Sequence, residues 1–429
     1  MKALIKRLIP KQFWGWYHFS LALRGAIRYG FPSKKLIVIG VTGTDGKSTT
    51  TEMIVRVLKE AGYKTASTSS VWFQIGDAKE KNPLKMSMPG KSFLQSFLAK
   101  AVKEGCTHAV LEVSSEGILQ HRHRFIDFHT AVFTNIYPEH IERHGSFEKY
   151  LSEKQKLFRA AKQVHVINTD DKNAPQFLKF GAKHAYGFGF GEKQKYSEVE
   201  KYIRAESVED TKNGVRFLVN GTQFQLQLLG WFNAMNALAA ICVADSQNIP
   251  LAKAKTALEK MDAMPGRMEV VIREPFTVIV DYAVTPEAYE NLYKAARQLF
   301  QPRKMIAVFG AAGGGRDTWK RPLLGKIAAE YCDEIILTNE DPYDEDPLQI
   351  LSEIKSGITN TQFPMTNVLE ILDRREAIRK ALSIAKEGDV VVLTGKGSED
   401  AIAVAGGKKI PWSERGVVEE EIKKIGAGT

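Results

Sequence analysis

The stretch Gly40-Val-Thr-Gly43-Thr44-Asp-Gly46-Lys47-Ser48-Thr49-Thr50-Thr51 holds the residue types that bind phosphate. Glycines let backbone N–H groups approach phosphate oxygens, and a helix N-terminus behind them adds partial positive charge. Lys47 would reach the β- and γ-phosphates of ATP, and Ser48 would place a hydroxyl on Mg2+. Gly43, Thr44, Gly46 and Thr49 complete this cradle. The common phosphate-loop pattern has Gly six residues before the Lys; here Val41 holds that place and Gly40 precedes it, so the loop is longer by one residue. An ordinary Gly-rich turn is the alternative reading. Gly-Lys-Ser-Thr-Thr directly behind a buried strand argues against it.

Such a loop needs a strand before it and a helix after it. Lys35-Leu-Ile-Val-Ile-Gly40 is apolar and β-branched, as a buried parallel strand is. From Thr51 the apolar residues recur at helical spacing. Strands are expected at 107–113, 130–134 and 164–167, with helices near 91–104 and 147–161, a doubly wound parallel-sheet pattern. From about 200 to 229 the texture changes to alternating segments broken by Asn213-Gly214 and Asn220-Gly221, both hairpin signals. A helix carrying Asn233 and Asn236 runs to about 247, and Pro265-Gly266 punctuates the chain. A second series follows, with strands near 268–272, 277–281, 304–309, 333–338 and 389–394. The expected fold class is α/β: a phosphate-loop ATPase domain with a doubly wound parallel sheet at 36–264, then a smaller Rossmann-like α/β domain at 265–429. Residues 1–35 form a separate basic aromatic segment.

The 429 residues, 44% hydrophobic and 26% charged, are those of an ordinary globular protein of two or three domains. Cys106, Cys242 and Cys332 are far apart in apolar surroundings and read as buried free thiols in a reducing, cytoplasmic compartment. Of the net charge of +10, +8 lies in residues 1–35, which contain no acid. The rest of the chain is near neutral, so nothing points to nucleic acid. The first segment holds Lys2, Lys6, Arg7, Lys11, Arg24, Arg28, Lys34 and Lys35 among Phe13, Trp14, Trp16, Tyr17, Phe19, Tyr29 and Phe31. Interrupted by His18, Arg24 and Arg28, it is a poor membrane span. Two readings stay open: a helix lying in the inner membrane interface, with about 1 kcal/mol per basic residue near an anionic surface, or a helix packed on the first domain or a subunit contact.

Ten motifs in register carry a resemblance: Gly40-x-Thr-Gly-Thr-x-Gly-Lys-Ser48, Glu112-Val-Ser-Ser115, Phe133-Thr-Asn-Ile136, Glu139-His140, Tyr150-x-x-x-Lys154, Phe232-Asn233-x-x-Asn236, Pro265-Gly-Arg267-Met-Glu269, Asp281-Tyr-Ala-x-Thr-Pro286, Gly313-Gly-Gly-Arg316-Asp-x-x-Lys320-Arg-Pro322 and Gly395-Lys-Gly397. Over about residues 36 to 415 the chain resembles the Mur ligases, closest to the MurE type, which adds the third amino acid to a UDP-MurNAc-dipeptide. The resemblance implies transfer of the ATP γ-phosphoryl to a substrate carboxylate and attack of an amine on the acyl phosphate. Lys47, Lys154, His140 and Arg267 would be catalytic. Glu112 would hold Mg2+ beside Ser48, and His140 a second Mg2+. A carbamate on Lys154 would turn its charge from positive to negative and offer two oxygens to a hard cation. On spacing alone Lys154 and Lys156 are both solvated-helix candidates, and register from Tyr150 favours Lys154.

By the same resemblance Asn236, Arg267, Asp281 and Tyr282 contact ATP, with Arg267 swinging onto the γ-phosphate as the domains close. Ser114, Gln120 and Arg122 match positions for the muramyl-peptide end, and Arg316, Gly395 and Glu399 positions for the incoming amino acid. The chain departs from the pattern in four places. Val284 replaces a usual His, and the usual Asn-Thr-Thr-Pro stretch reads Met86-Ser-Met-Pro89. The diaminopimelate motif Asp-Asn-Pro-Arg reads Glu340-Asp341-Pro342-Tyr343, losing the Arg that clamps a distal carboxylate. Asp341, with Asp344, Glu345 and Asp346, would suit a basic side chain such as lysine, or the run is a solvated loop. Only about 35 residues precede the first strand, where the MurE type has a domain that grips the uridine nucleotide. The expected partners are a cell-wall peptide precursor and an amino acid. A folate or polyamide acceptor, and a non-catalytic ATP-binding subunit, are the alternatives.

Overall fold

The computed structural model describes residues 13–426 except 85, 91, 193–195 and 360–366. In chain order the first strands are β1 Ile37–Thr42, β2 Thr65–Thr68, β3 Trp72–Ile75, β4 Ala78–Lys81, β5 His108–Glu112, β6 Phe128–Phe133, β7 Val164–Asn168, β8 His184–Gly189 and β9 Lys201–Arg204. They form one sheet in the order β4-β3-β2-β5-β1-β6-β7-β8-β9. From β2 to β9 it is parallel, and β3 and β4 are antiparallel additions at the edge. The edge hairpin is not legible as strand because Ala78-Lys-Glu-Lys81 is exposed throughout; its charges blunt an edge that would otherwise recruit other strands. In the middle, β1 and β5 are almost wholly buried, as expected where helices cover both faces.

The helices Lys47–Glu60 and Phe232–Ser246 cover one face, the latter through a nearly continuous Ala-rich surface. Phe93–Lys103 and Phe147–Ala160 cover the other. The hairpin segments become β10 Glu206–Thr211, β11 Gly214–Val219 and β12 Thr222–Gln225, a small antiparallel sheet packed into the first core through Val215, Phe217 and Phe224. The second sheet contains β13 Glu269–Ile272, β14 Thr277–Val280, β15 Met305–Phe309, β16 Glu334–Leu337, β17 Val368–Glu370 and β18 Val390–Leu393, in the order β13-β14-β18-β15-β16-β17. Only β13 runs antiparallel within it. All three cysteines are buried free thiols.

Residues Trp14–Arg28 form a helix that buries Gly25 and Ala26 against the first domain. Gly25 is needed for this approach: a Cβ there would sit 3.0 Å from Ser92 Cβ. Buried Pro32 and Ser33 continue the contact, with Ser33 Oγ accepting the Asp127 N–H at 3.0 Å. One face of this segment therefore packs on its own domain. Lys2, Lys6, Arg7 and Lys11 lie outside the described residues. Among the described residues no helix is long and apolar enough to cross a membrane.

Candidate active site

The carboxyl ends of β1, β5 and β6 face the second sheet across a cleft of about 910 Å3 lined from both domains. This is where an open α/β sheet presents its loops to a ligand. β1 delivers the chain at Thr42, and the Lys47–Glu60 helix starts behind Gly46, whose φ is 78°. A side chain there would be strained and would also meet Asn236 Oδ1 at 2.4 Å. Thr134 and Asn135 brace the loop from β6: Thr134 Oγ1 donates to Asp45 O at 2.7 Å, and Asp45 N–H donates to Asn135 Oδ1 at 2.8 Å. Lys47 Nζ donates to Thr44 O at 2.6 Å, so the ammonium is folded over its own loop. Thr44 is also held by the Tyr150 hydroxyl at 3.1 Å, and Thr49 is buried on the first helical turn.

Ser48 and Glu112 are brought together: Ser48 Oγ donates to Glu112 Oε2 at 2.8 Å. Ser70, not anticipated from the sequence, joins them through its N–H to Glu112 Oε2 and its hydroxyl to Ser48 Oγ, both at 2.8 Å. Asn236 accepts from Thr50 Oγ1 at 3.2 Å and donates to Asn233 at 3.0 Å, which ties the loop helix to the Phe232–Ser246 helix. Lys154, on the Phe147–Ala160 helix, is buried and donates to Gly43 O at 2.6 Å. Burial, and then the charge of Lys47, push its pKa well below the usual lysine range. His140 lines the cleft. Removal from water and the cations Lys154, Lys320, Arg316 and Lys47 lower its pKa to about 2, leaving a neutral imidazole able to donate a lone pair. Among the described residues there is no group of three or more His, Cys, Asp and Glu side chains arranged as a metal cage. Mg2+ does not need one, since it keeps waters and takes phosphate oxygens beside one or two carboxylates. The Ser48–Glu112 oxygen pair is such a donor set.

The second domain faces this centre. Arg267 lies over the Tyr282 ring, 4.5 Å from its centroid, and donates to Gly266 O at 3.0 Å. Asp281 accepts the N–H groups of Met268 and Ala283, each at 2.6 Å, and burial raises its pKa to about 6. Beyond Asn236 the aromatic side chains Phe190, Trp231 and Phe232 line the cleft. Of this wall the sequence motifs included Phe232 but neither Phe190 nor Trp231, since Phe190 comes from a distant segment.

At the other end, Ser114 Oγ caps the Ser115–Leu119 helix, accepting from Gly117 N–H at 3.3 Å. Arg122 lines the cleft, hydrogen-bonds the Gln120 side chain at 2.6 Å and binds Met88 O. Met86-Ser-Met-Pro89 is thus set against the Gln120–Arg122 turn. Arg316 and Glu399 line the cleft, whereas Gly395 sits behind it against the Glu340 carboxylate. Asp341 also borders the cleft, but its Oδ1 already accepts Lys396 Nζ at 2.8 Å and Ala403 N–H at 2.6 Å. The other acids of that run are committed too. Asp344 accepts Gly406 N–H, Glu345 binds Arg321, and Asp346 accepts Leu348 N–H. These contacts fix the shape of the loop, and Asp341 stays at the border of the cleft.

The sequence also missed what joins the domains. Glu139 and Lys320 form a buried pair across the interface at 2.8 and 3.0 Å. Thr285 Oγ1 donates to Asp45 Oδ2 at 3.1 Å. Glu142 N–H donates to Asp317 at 2.9 Å, and Thr318 N–H returns to Glu142 at 3.0 Å.

Residues 41–244 match the Mur ligase middle domain and residues 266–397 the Mur ligase, glutamate ligase domain. The chain belongs to the Mur ligase family. It is 37% identical to a UDP-N-acetylmuramyl-tripeptide synthetase of Roseiflexus sp. (strain RS-1), over 95% of this chain and 83% of that one. It is 38% identical to a UDP-N-acetylmuramoyl-L-alanyl-D-glutamate–2,6-diaminopimelate ligase of Caldanaerobacter subterraneus subsp. tengcongensis, over 91% and 79%. A solved structure of a UDP-N-acetylmuramoyl-L-alanyl-D-glutamate–2,6-diaminopimelate ligase matches at a TM-score of 0.58 and 28% identity, covering 91% of this chain and 79% of the other. Mycobacterium tuberculosis folylpolyglutamate synthase, solved with ADP and AMPPCP, shares the fold at a TM-score of 0.69 and 16% identity, covering 88% and 92%. This Mur ligase is an ATP-dependent ligase.

Proposed function

We propose that this Mur ligase activates the carboxylate of a muramyl-dipeptide cell-wall precursor with ATP and joins it to the amine of an amino acid. One observation carries the reading: the Lys47 loop, backed by buried Lys154 on Gly43 O, and the Ser48–Glu112 pair share a cleft with Arg267, Asp281 and Arg316 from the facing domain. Residues 36–264 act as the ATP-binding domain and residues 265–429 as the domain that closes on it.

The reaction runs in two steps. A substrate carboxylate oxygen bonds to the γ-phosphorus, the bond to the β-phosphate oxygen breaks, and ADP leaves. The amine nitrogen then bonds to the acyl carbon, phosphate leaves with the C–O electrons, and the amine loses a proton. Phosphoryl transfer of this kind needs positioning and charge neutralisation more than covalent help. Lys47 turns from Thr44 O onto the β- and γ-phosphates, and Arg267 adds its charge from the other side. Asn236, Asp281 and Tyr282 orient the nucleoside, and Phe190 and Trp231 offer flat apolar walls to the base. Ser114, Gln120 and Arg122 hold the acceptor; Arg316, Gly395 and Glu399 frame the amino acid.

Ser48, Glu112, His140 and a carbamate on Lys154 would hold Mg2+, which supplies charge neutralisation on the phosphates. Only a neutral amine takes up CO2, and the burial of Lys154 beside Lys47 supports that state. A cytoplasmic enzyme at the inner membrane face completes the reading, supported by the three buried free thiols and by the basic aromatic first 35 residues.

The test is phosphate release with ATP and Mg2+ across a panel of acceptors and amino acids. N-acetylmuramyl-L-alanyl-D-glutamate acceptors should stimulate release together with one amino acid. Stimulation by folates alone would overturn the acceptor. No stimulation by any acceptor in folded, ATP-binding protein would make the chain a non-catalytic subunit.

A further inference from the structure

The Trp14–Arg28 helix leaves two large apolar side chains, Trp16 and Ile27, facing away from its own domain. Its buried residues are Gly25 and Ala26. Facing out are Phe13, 51% exposed, Trp16, 74% exposed, and Ile27, 63% exposed. At about 100° per residue, Trp16, Ser20, Leu23 and Ile27 fall on one stripe, with Arg24 and Arg28 along its border. Gly25, Ala26 and Phe19 inward with Trp16 and Ile27 outward and Leu23 half-buried between them is the pattern of a helix with a second apolar environment to meet.

We infer that this outward stripe docks on an anionic lipid surface and holds the Arg122 end of the cleft at the bilayer, where a lipid carries the acceptor. Charge selects the occupant. Residues 1–35 hold eight Lys and Arg and no acid, which complements anionic headgroups. A second copy is a poor fit, because a two-fold contact would bring the Arg24–Arg28 borders of two identical stripes together.

Position supplies the rest. The inner side of the helix rests on the turn that carries the acceptor residues. Phe19 meets His121 edge-on at 6.0 Å and Phe125 at 5.3 Å. His121 lies between Gln120 and Arg122, and Arg122 lines the cleft. His18, on the same helix, is lowered in pKa by burial and then by the charge of Arg122. The docking stripe and the acceptor end of the cleft therefore share one edge of the molecule. The lipid-borne acceptor rests on the ligase reading above; the docking does not.

Two arms separate these ideas. In the first, the full chain is floated with phosphatidylglycerol–phosphatidylcholine vesicles and with phosphatidylcholine alone. Binding to the anionic vesicles only, weakened by salt, is expected, and Trp16→Ser with Ile27→Ser should lower it by about tenfold. Circular dichroism and melting of the double variant should match wild type, since both side chains face out. Equal binding to both vesicles, an unchanged variant, or a concentration-dependent dimer lost in the variant would overturn the docking. In the second arm, phosphate release is compared with N-acetylmuramyl-L-alanyl-D-glutamate free in solution and carried on a lipid diphosphate in vesicles. A KM advantage for the lipid-borne probe that disappears in the double variant is expected. No advantage would overturn the lipid-borne acceptor, whereas no turnover of either probe by a vesicle-bound enzyme would mean that the ligase reading had failed.

Discussion

At the scale of single residues the account rests on two buried groups whose charge states are set by their surroundings. Lys154 is held against Gly43 O with its pKa pushed far down by burial and by Lys47. Lys154→Ala should lower phosphate release by about two to three orders of magnitude, and short carboxylates such as acetate should restore part of it; wild-type turnover in the variant would remove the carbamate role. Glu340 lies in the second domain against Gly395, and burial raises its pKa to about 7. A raised folded-state pKa means that the native state favours the protonated form. Its contribution is fully present below the unfolded carboxylate pKa and is lost as pH rises through about 7. Glu340→Gln keeps the shape and removes that titration. The melting temperature of the variant relative to wild type should therefore rise between pH 5 and pH 8, by a free energy on the order of 3 kcal/mol. A flat difference across that range would show that Glu340 does not titrate there.

At the scale of elements, the turn from β1 into the Lys47–Glu60 helix is the critical piece. Gly46 occupies a left-handed conformation against Asn236. Gly46→Ala should raise the ATP dissociation constant by about tenfold or more, and cost roughly 1–3 kcal/mol of stability, measured by calorimetric titration and urea melts. This turn was legible because strand, glycines, Lys47 and helix are contiguous, and each leaves a local mark. β5, β6 and the Phe147–Ala160 helix were legible for the same reason, from continuous apolar runs and helical spacing. The edge strands β3 and β4 were not, since their pairing comes from the neighbour and β4 is charged throughout. Ser70, Phe190 and Trp231 reach the cleft from separate segments, which no spacing rule joins. The partners of the acidic run around Asp341 were not legible either, because Lys396, Arg321 and the backbone N–H groups of Ala403 and Gly406 come from distant segments.

At the scale of the whole molecule, the cleft exists because two sheets with separate cores are held face to face. The buried Glu139–Lys320 pair joins them, next to His140. Removing one partner leaves an unpaired buried charge, at a cost of about 3–5 kcal/mol. Lys320→Met should open the domains, seen as a larger radius of gyration by small-angle scattering, and Glu139→Gln added to it should recover most of the compaction. An unchanged radius in the single variant would assign closure to the Asp45–Thr285 and Glu142–Thr318 contacts instead. Under the proposed function this closed cleft activates a muramyl-peptide carboxylate. The direct measurement is phosphate release from ATP and Mg2+ by the full chain, with and without N-acetylmuramyl-L-alanyl-D-glutamate on its nucleotide or lipid carrier, in the presence of amino acids. The account predicts release that requires the acceptor and an amino acid and yields an amide product. Release indifferent to the acceptor, or none from protein that binds ATP, would contradict it.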